Sequence, residues 1–265
     1  MYEHILTSEV ELPVMKCFGV LDEGAEKPLS LLFEDLTDSH SQTTWPIIPN
    51  ASDCEGAVAT LAKIHANWWG KTTSLDRHKP VVEPHQDANH LATFFPSFVD
   101  FVGEYLSPVR IAHYEHVFAN LDTLLSNRMT MNNTTLLHTD PHFWNFLYPK
   151  NHNQDRYVIF DWPLWRTGLG GWDLAYMIGL HLYPEHRQRF EPRLLNKYLL
   201  VLNEEGIDCD YQDVHLDYRI GVIVGLLMPV MEFSWKNPTI SWMPKLEKAL
   251  AAFEELNCGE LIEAI

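Results

Sequence analysis

The sequence predicts an α+β protein: a β-hairpin near the N-terminus, then a mainly helical region that encloses one further small β-hairpin. Three observations carry this. Apolar residues recur at helical spacing in segments 94–105, 108–127, 173–182, 186–203, 213–231 and 242–256. Two β-forming runs, Val14 to Leu21 and Leu29 to Phe33, flank the turn-forming cluster Asp22-Glu23-Gly24-Ala25-Glu26-Lys27-Pro28. In the middle of the chain, Leu136-Leu137 and Tyr157-Val158-Ile159-Phe160 are apolar runs that each end on isolated polar residues.

In chain order, residues Tyr2 to Val10 are expected to form a short helix ending before Pro13. The hairpin follows. A two-stranded sheet is marginal and leaves an open edge, through which a second copy of the chain could pair as a homodimer. Thr37 to Asn50 reads as a polar linker. Ser52-x-x-Glu55 is a capping box opening a helix with Val58, Leu61, Ile64 and Trp68 on one face, and His65 beside that stripe as a packed histidine. Thr72 to Asn89 has no periodicity and is expected to be a loop; its histidines (His78, His85 and the neighbouring His90) match no metal-ligand spacing. The helix from Pro108 starts with proline in its first turn and carries Ile111, Tyr114, Val117, Phe118, Leu121 and Leu125 as a core stripe. The longest apolar run, Ile220 to Met231, contains Gly221, Gly225 and Pro229; it is too short to span a bilayer and reads as a buried helix.

With 265 residues, 46% of them hydrophobic, the chain can bury a sizeable core. Nineteen Lys and Arg against 36 Asp and Glu give a net charge of −17, which repels a phosphate backbone and argues against nucleic acid as a partner. Cationic small molecules would be attracted. Cys17, Cys54, Cys209 and Cys258 are scattered without metal-ligand spacing and read as reduced, buried thiols of a cytoplasmic protein. Met1-Tyr2-Glu3-His4 lacks the pattern of a signal peptide, and no membrane partner is expected.

The chemistry concentrates in His138-Thr139-Asp140-Pro141-His142-Phe143-Trp144-Asn145 and in Asp161. If the flanking apolar runs pair as a hairpin, Asp140, Asn145 and Asp161 gather at one of its ends. Two carboxylates and an amide carbonyl suit Mg²⁺-bridged phosphoryl transfer: one carboxylate takes a hydroxyl proton, and the other oxygens hold metal.

His138-x-Asp140-x-x-x-x-Asn145, followed by Asp161 and by Trp172-Asp173-Leu174-Ala175, resembles the aminoglycoside phosphotransferase and choline-kinase-like family, the small-molecule branch of the protein-kinase fold. The resemblance implies a protein-kinase-like fold with a residual N-terminal lobe and hinge over 1–36 and a helical C-terminal lobe over 37–265. It implies ATP and Mg²⁺ as cofactors and a small-molecule hydroxyl as acceptor. Asp140 would be the catalytic base, and Asn145 and Asp161 the metal ligands. His138 would pack beneath the loop, and Asp173 would brace its backbone. Glu34, Asp35 and Leu36 would fall at the hinge, where backbone groups pair with adenine. No Gly-rich loop or strand lysine is present for the α- and β-phosphates, so the resemblance implies a fragment of a longer reading, or else a natural protein with a reduced lobe. Thr139, Phe143, Trp144 and Pro163 depart from the family pattern and bear on pocket shape.

Two other functions are consistent with the residues. A kinase-like pseudoenzyme or binding module would explain the missing phosphate clamp. A metal-dependent hydrolase would use His138, Asp140, His142 and Asp161, alternating along a strand. Trp162, Trp165, Trp235 and Trp242 are candidates for an aromatic pocket around a cationic or apolar alcohol, with core packing as the plainer expectation.

Overall fold

The computed structural model describes residues 11–21, 30–75, 84–151, 156–162 and 164–265; the helix expected over Tyr2 to Val10, the Asp22–Pro28 turn, His78 and Pro163 lie outside the described residues. β1 (Cys17–Leu21) and β2 (Ser30–Phe33) pair antiparallel with an irregularity between Cys17 and Gly19. The expected linker after them contains a further strand, β3 (His40–Ser41). Its short polar sequence gives no β signal; His40 is held by Ser39 Oγ at 2.8 Å and the Arg156 carbonyl at 2.8 Å.

Helix α1 (Ala51–Trp68) is capped by Asn50 and not by the Ser52 box. The Asn50 side chain accepts the Asp53 N–H at 3.0 Å and donates to the Asp53 carboxylate at 2.7 Å. Asparagine satisfies an orphan amide as well as serine does, so the helix starts two residues earlier. Helix α2 (Pro84–Val102) begins well before the expected residue 94, because Ala88, Leu91, Phe95, Phe98 and Val102 form one buried stripe that the surrounding His and Asp residues mask. His90 is exposed on it, edge-on to Phe94. Helix α3 (Pro108–Arg128) is capped by Ser107 and buries Tyr114, Val117, Leu121 and Leu125.

The central β elements are β4 (Thr135–Leu137), β5 (Phe146–Pro149), β6 (Val158–Ile159) and β7 (Arg166–Gly168). The expected hairpin is β5–β6, with β3 added on the other side of β5. β4 pairs with β7, a pairing the sequence did not signal. Helix α4 (Gly171–Leu174) runs into a π-helical turn, Ala175–Gly179, followed by α5 (Pro184–Glu204). The single helix expected over 213–231 is two, α6 (Tyr211–Gly225) and α7 (Leu227–Ser234). Pro229 explains the break: it has no N–H and its ring crowds the carbonyl four residues back, at Gly225. Helices α8 (Thr239–Glu255) and α9 (Gly259–Glu263) complete the chain. The span Tyr211–Ser234 is long and apolar enough to cross a membrane by composition, but 67% of its most apolar window is buried within the fold, against α4, α5 and α8.

α1 packs against α5, and α6 crosses directly under α4. The second contact is possible only because both helices present glycine. A Cβ on Gly221 would lie 2.3 Å from the Gly171 carbonyl oxygen, and one on Gly171 would lie 2.2 Å from the Asp217 carbonyl. That backbone-to-backbone seat fixes the height of α4, and with it the side chain of Asp173. The four cysteines are free; Cys17, Cys54 and Cys258 are buried and Cys209 is half-buried. Burial pushes the Cys54 and Cys258 thiols up to about 12.

Candidate active site

β4 carries Leu136 and Leu137 into the core, and the chain leaves it as a loop whose backbone is held from beneath. The Asp173 carboxylate, 1% exposed, accepts the His138 N–H at 2.7 Å and the Thr139 N–H at 2.9 Å. Its third contact is His65 Nε2 at 3.2 Å, and His65 Nδ1 lies 2.7 Å from the Tyr198 hydroxyl. A donor chain satisfies all of these groups: Tyr198 donates to His65, and His65 donates to Asp173. His65 is the packed histidine the sequence suggested, yet it is also the support behind the loop.

His138 is fully buried against Trp162, with ring centroids 4.5 Å apart. Its Nδ1 accepts the Asp140 N–H at 3.3 Å, so the ring proton sits on Nε2 and is donated to the Phe160 carbonyl at 2.8 Å. Burial lowers its pKa, with Asp173 opposing, consistent with a neutral ring. Both nitrogens are committed to backbone, so His138 is not a metal ligand. This removes one member of the hydrolase set. Thr139 adopts φ 70°, a left-handed conformation that crowds a β-branched side chain, and its hydroxyl donates to the Leu164 carbonyl at 2.8 Å.

Asp140, Asn145 and Asp161 lie at one end of β5–β6. The Asn145 amide nitrogen donates to the Asp140 carbonyl at 2.9 Å and lies 3.4 Å from its carboxylate, which leaves the amide oxygen turned to the other side. The Phe160 N–H donates to the Asn145 carbonyl at 3.1 Å, which brings the residue before Asp161 against Asn145. Asp161 itself sits at φ 66° with its carboxylate exposed. Burial lowers the pKa of His142, just past Asp140, with the charges of Asp140 and Asp161 opposing. Two carboxylates and one amide oxygen form a hard donor set of the kind magnesium takes. Among the described residues no group of three or more His, Cys, Asp and Glu is arranged to hold a metal.

Glu34, Asp35 and Leu36 lie at the opposite end of the same hairpin. The Glu34 carboxylate pairs with Arg156 at 2.5 Å and its N–H donates to the Lys16 carbonyl at 2.9 Å. Asp35 closes a turn by accepting the Thr37 N–H at 2.9 Å, and the Leu36 carbonyl accepts the His40 N–H at 2.9 Å. β5 spans four residues, about 13 Å at strand rise, between this end and Asn145.

Several residues of the site carry no sequence signal. Tyr176 is buried near the loop, and burial first, then the charge of Asp140, pushes the phenol pKa well up. Lys245 Nζ is 3.4 Å from that hydroxyl. His181 packs on Tyr176 and on His142, with centroids 4.7 and 5.5 Å apart. Beside the loop opens a largely apolar cavity of about 870 Å³, its mouth included, lined by Leu137, Thr139, Trp172, Tyr176, Met228 and Trp235 among others. Trp235 is exposed there, whereas Trp162, Trp165 and Trp242 are core residues. Only the spacing of Tyr176, three residues after Asp173 and so near the same helix face, could have pointed to this side of the site.

The fold is similar to solved kinases of small molecules. The choline kinase LicA from Streptococcus pneumoniae superposes with a TM-score of 0.54 at 14% identity, over 91% of this chain and 75% of the other. A choline/ethanolamine kinase family protein from Mesorhizobium loti gives 0.55 at 12% identity, over 93% and 76%. A candidate aminoglycoside phosphotransferase from Ralstonia eutropha gives 0.55 at 14%, over 96% and 79%. Among curated proteins none matches the sequence. The model of the ecdysteroid kinase-like family matches residues 10–211, a span that includes Glu34 to Leu36, the Asp140 loop, Asp161 and Asp173. With most of its length matched, the chain belongs to the ecdysteroid kinase-like family.

Proposed function

We propose that the protein transfers phosphate from ATP, with Mg²⁺, to a hydroxyl of a small, largely apolar alcohol. The gathering of Asp140, Asn145 and Asp161 at one hairpin end, above a loop pinned by Asp173, carries this reading. Asp140 orients the acceptor hydroxyl and takes its proton as the new oxygen–phosphorus bond forms and the bond from the γ-phosphorus to the ADP oxygen breaks, releasing ADP. Asn145, through its amide oxygen, and Asp161 would hold the cation. Magnesium, when bound, neutralises charge on the phosphates. His138, neutral and locked to backbone, keeps the loop in register and takes no part in proton transfer. Glu34 to Leu36 flank the adenine end, one hairpin length away.

The apolar cavity beside Tyr176 supports an acceptor with a broad apolar body, and the name of the family points to a polyhydroxylated steroid. Trp235 at its rim would also accommodate a cation. The free thiols fit a reducing, cytoplasmic setting.

The test is phosphoryl transfer from Mg·ATP to a polyhydroxylated steroid, with nucleotide binding measured in parallel. Asp140→Asn abolishes turnover and leaves nucleotide affinity within about twofold, whereas Asp161→Asn weakens Mg²⁺-dependent nucleotide binding. Full turnover in Asp140→Asn refutes the base assignment. A wild-type protein whose melting temperature ignores Mg·ATP is a scaffold, as in the pseudoenzyme reading.

A further inference from the structure

His142 stands two residues past the candidate base, and the proposed reaction leaves it without a task. Its Nε2 lies 3.7 Å from Asp140 Oδ2, and the Asn145 amide nitrogen lies 3.4 Å from the same oxygen. Two nitrogens thus converge on one of the two carboxylate oxygens. The imidazole ring is held between two others, its centroid 5.5 Å from that of Trp144 and 5.5 Å from that of His181. Trp144 is fixed in turn by its Nε1–H, which donates to the Ile47 carbonyl at 3.2 Å, and His181 by its Nδ1–H, which donates to the Tyr176 carbonyl at 2.7 Å. The His142 carbonyl accepts the Asn145 N–H at 2.8 Å, so its backbone is anchored where the turn Phe143–Asn145 begins.

Burial decides which ring nitrogen carries the hydrogen. Nδ1 of His142 is buried and has no hydrogen-bond partner among the described residues. A hydrogen there would be an orphaned buried donor, and the bare Nε2 would set its lone pair against a carboxylate oxygen. With the hydrogen on Nε2, both objections disappear. A doubly protonated ring carries a hydrogen at Nε2 as well, so the conclusion holds in either charge state. We infer that His142 is a positioning residue for Asp140: its Nε2–H, together with the Asn145 amide, holds Oδ2 and turns Oδ1 to the acceptor hydroxyl. This deepens the phosphotransferase reading and rests on it. A separation of 3.7 Å is longer than a hydrogen bond, but catalytic hydrogen bonds are often long before substrate binds and tighten afterwards. His142 receives no proton; it sets the angle at which Asp140 does.

The experiment measures Mg·ATP turnover, with a polyhydroxylated steroid and with water as acceptor, for wild type, His142→Leu, His142→Asn, His142→Gln and Asp140→Asn. Glutamine can bring an amide N–H to the place of Nε2, whereas the shorter asparagine amide ends near the place of Nδ1. The expected result is about a tenfold loss of kcat in His142→Leu and His142→Asn, with KM for Mg·ATP within about twofold of wild type. His142→Gln recovers to within about threefold of the wild-type rate. Wild-type kcat in His142→Leu, or a glutamine variant no faster than the leucine one, overturns the inference, because a histidine that only packs between two rings is replaced by leucine at least as well. If Asp140→Asn is dead while His142→Leu runs at wild-type rate, only the role of His142 falls; if Asp140→Asn stays active, the function assigned to Asp140 falls as well. Nitrogen NMR of the wild-type protein with labelled histidine decides the matter without turnover. A His142 signal with the hydrogen on Nε2 is expected, and one with the hydrogen on Nδ1 alone overturns the inference.

Discussion

Replacing Asp173 with asparagine removes one charge and rotates one donor into a buried acceptor site. The carboxylate takes His138 N and His65 Nε2 on Oδ2 and Thr139 N on Oδ1. Asparagine placed with its oxygen at Oδ2 keeps the first two as neutral bonds, but its amide N–H₂ then faces the Thr139 N–H, donor against donor. Hydrogen bonds to a charged group contribute about 1.5–3 kcal/mol each, and neutral ones about 1. One charged bond is lost outright and two are weakened, so the cost is about 4 kcal/mol. For a chain of this size that lowers Tm by about 8–16 °C. The effect is also local: the Thr139 amide, deprived of its acceptor, exchanges its hydrogen faster than amides of α5, which the substitution does not touch. Thermal melting by circular dichroism and amide exchange read the two effects. A Tm within about 3 °C of wild type, with Thr139 still protected, refutes the claim that Asp173 holds the loop.

Thr139 offers a second test, because its left-handed backbone costs about 1–2 kcal/mol that glycine would not incur, while its hydroxyl bond to Leu164 returns about 1 kcal/mol. Thr139→Gly should therefore melt within about 2 °C of wild type and Thr139→Val clearly lower; equal melting of valine and threonine removes the argument. Gly221→Ala drives a methyl onto the Gly171 carbonyl and should cost about 3 kcal/mol, read as a Tm drop of about 6 °C or more. An unchanged melt would mean the helices do not meet at that seat. His138, His142 and His181 have pKa values lowered from 6.5, in each case first by burial. The unfolded chain therefore binds more protons below about pH 6.5, and stability falls as pH drops from about 7 to 5.5. A melting temperature that is flat or rises over that window contradicts the neutral, buried assignment.

What the sequence disclosed and what it withheld divide along physical lines. The five-residue step from Asp140 to Asn145 is local, and the strand that ends at Asp161 is marked by its own apolar run, so hairpin and cluster could be read together. The brace from Asp173 spans 35 residues to His138. No spacing reports such a contact, and only the resemblance to a known family implied it. Helix starts were misplaced where local chemistry offered two good answers, as with Asn50 and Ser52, or where polar neighbours hid a stripe, as in α2. β3 and β7 were missed because strands of two or three residues owe their existence to a partner, not to their own propensity.

The cavity side of the site was invisible for a deeper reason. Leu137, Trp172, Val224, Met228 and Met231 obey the same helical or strand periodicity as the core residues around them, and all of them line the cavity. Periodicity says that a face is apolar; whether that face meets another side chain or an open cavity depends on how the elements are docked. Docking here follows from features that carry no periodic signal: two glycines that let α6 close on α4, and a proline that turns α7 away from α6. Tyr176 and Lys245, 69 residues apart, meet only after those turns are made. A sequence can thus mark a contiguous polar loop while leaving unread the side chains that gather around it, since the first sits in one stretch and the second are assembled by packing.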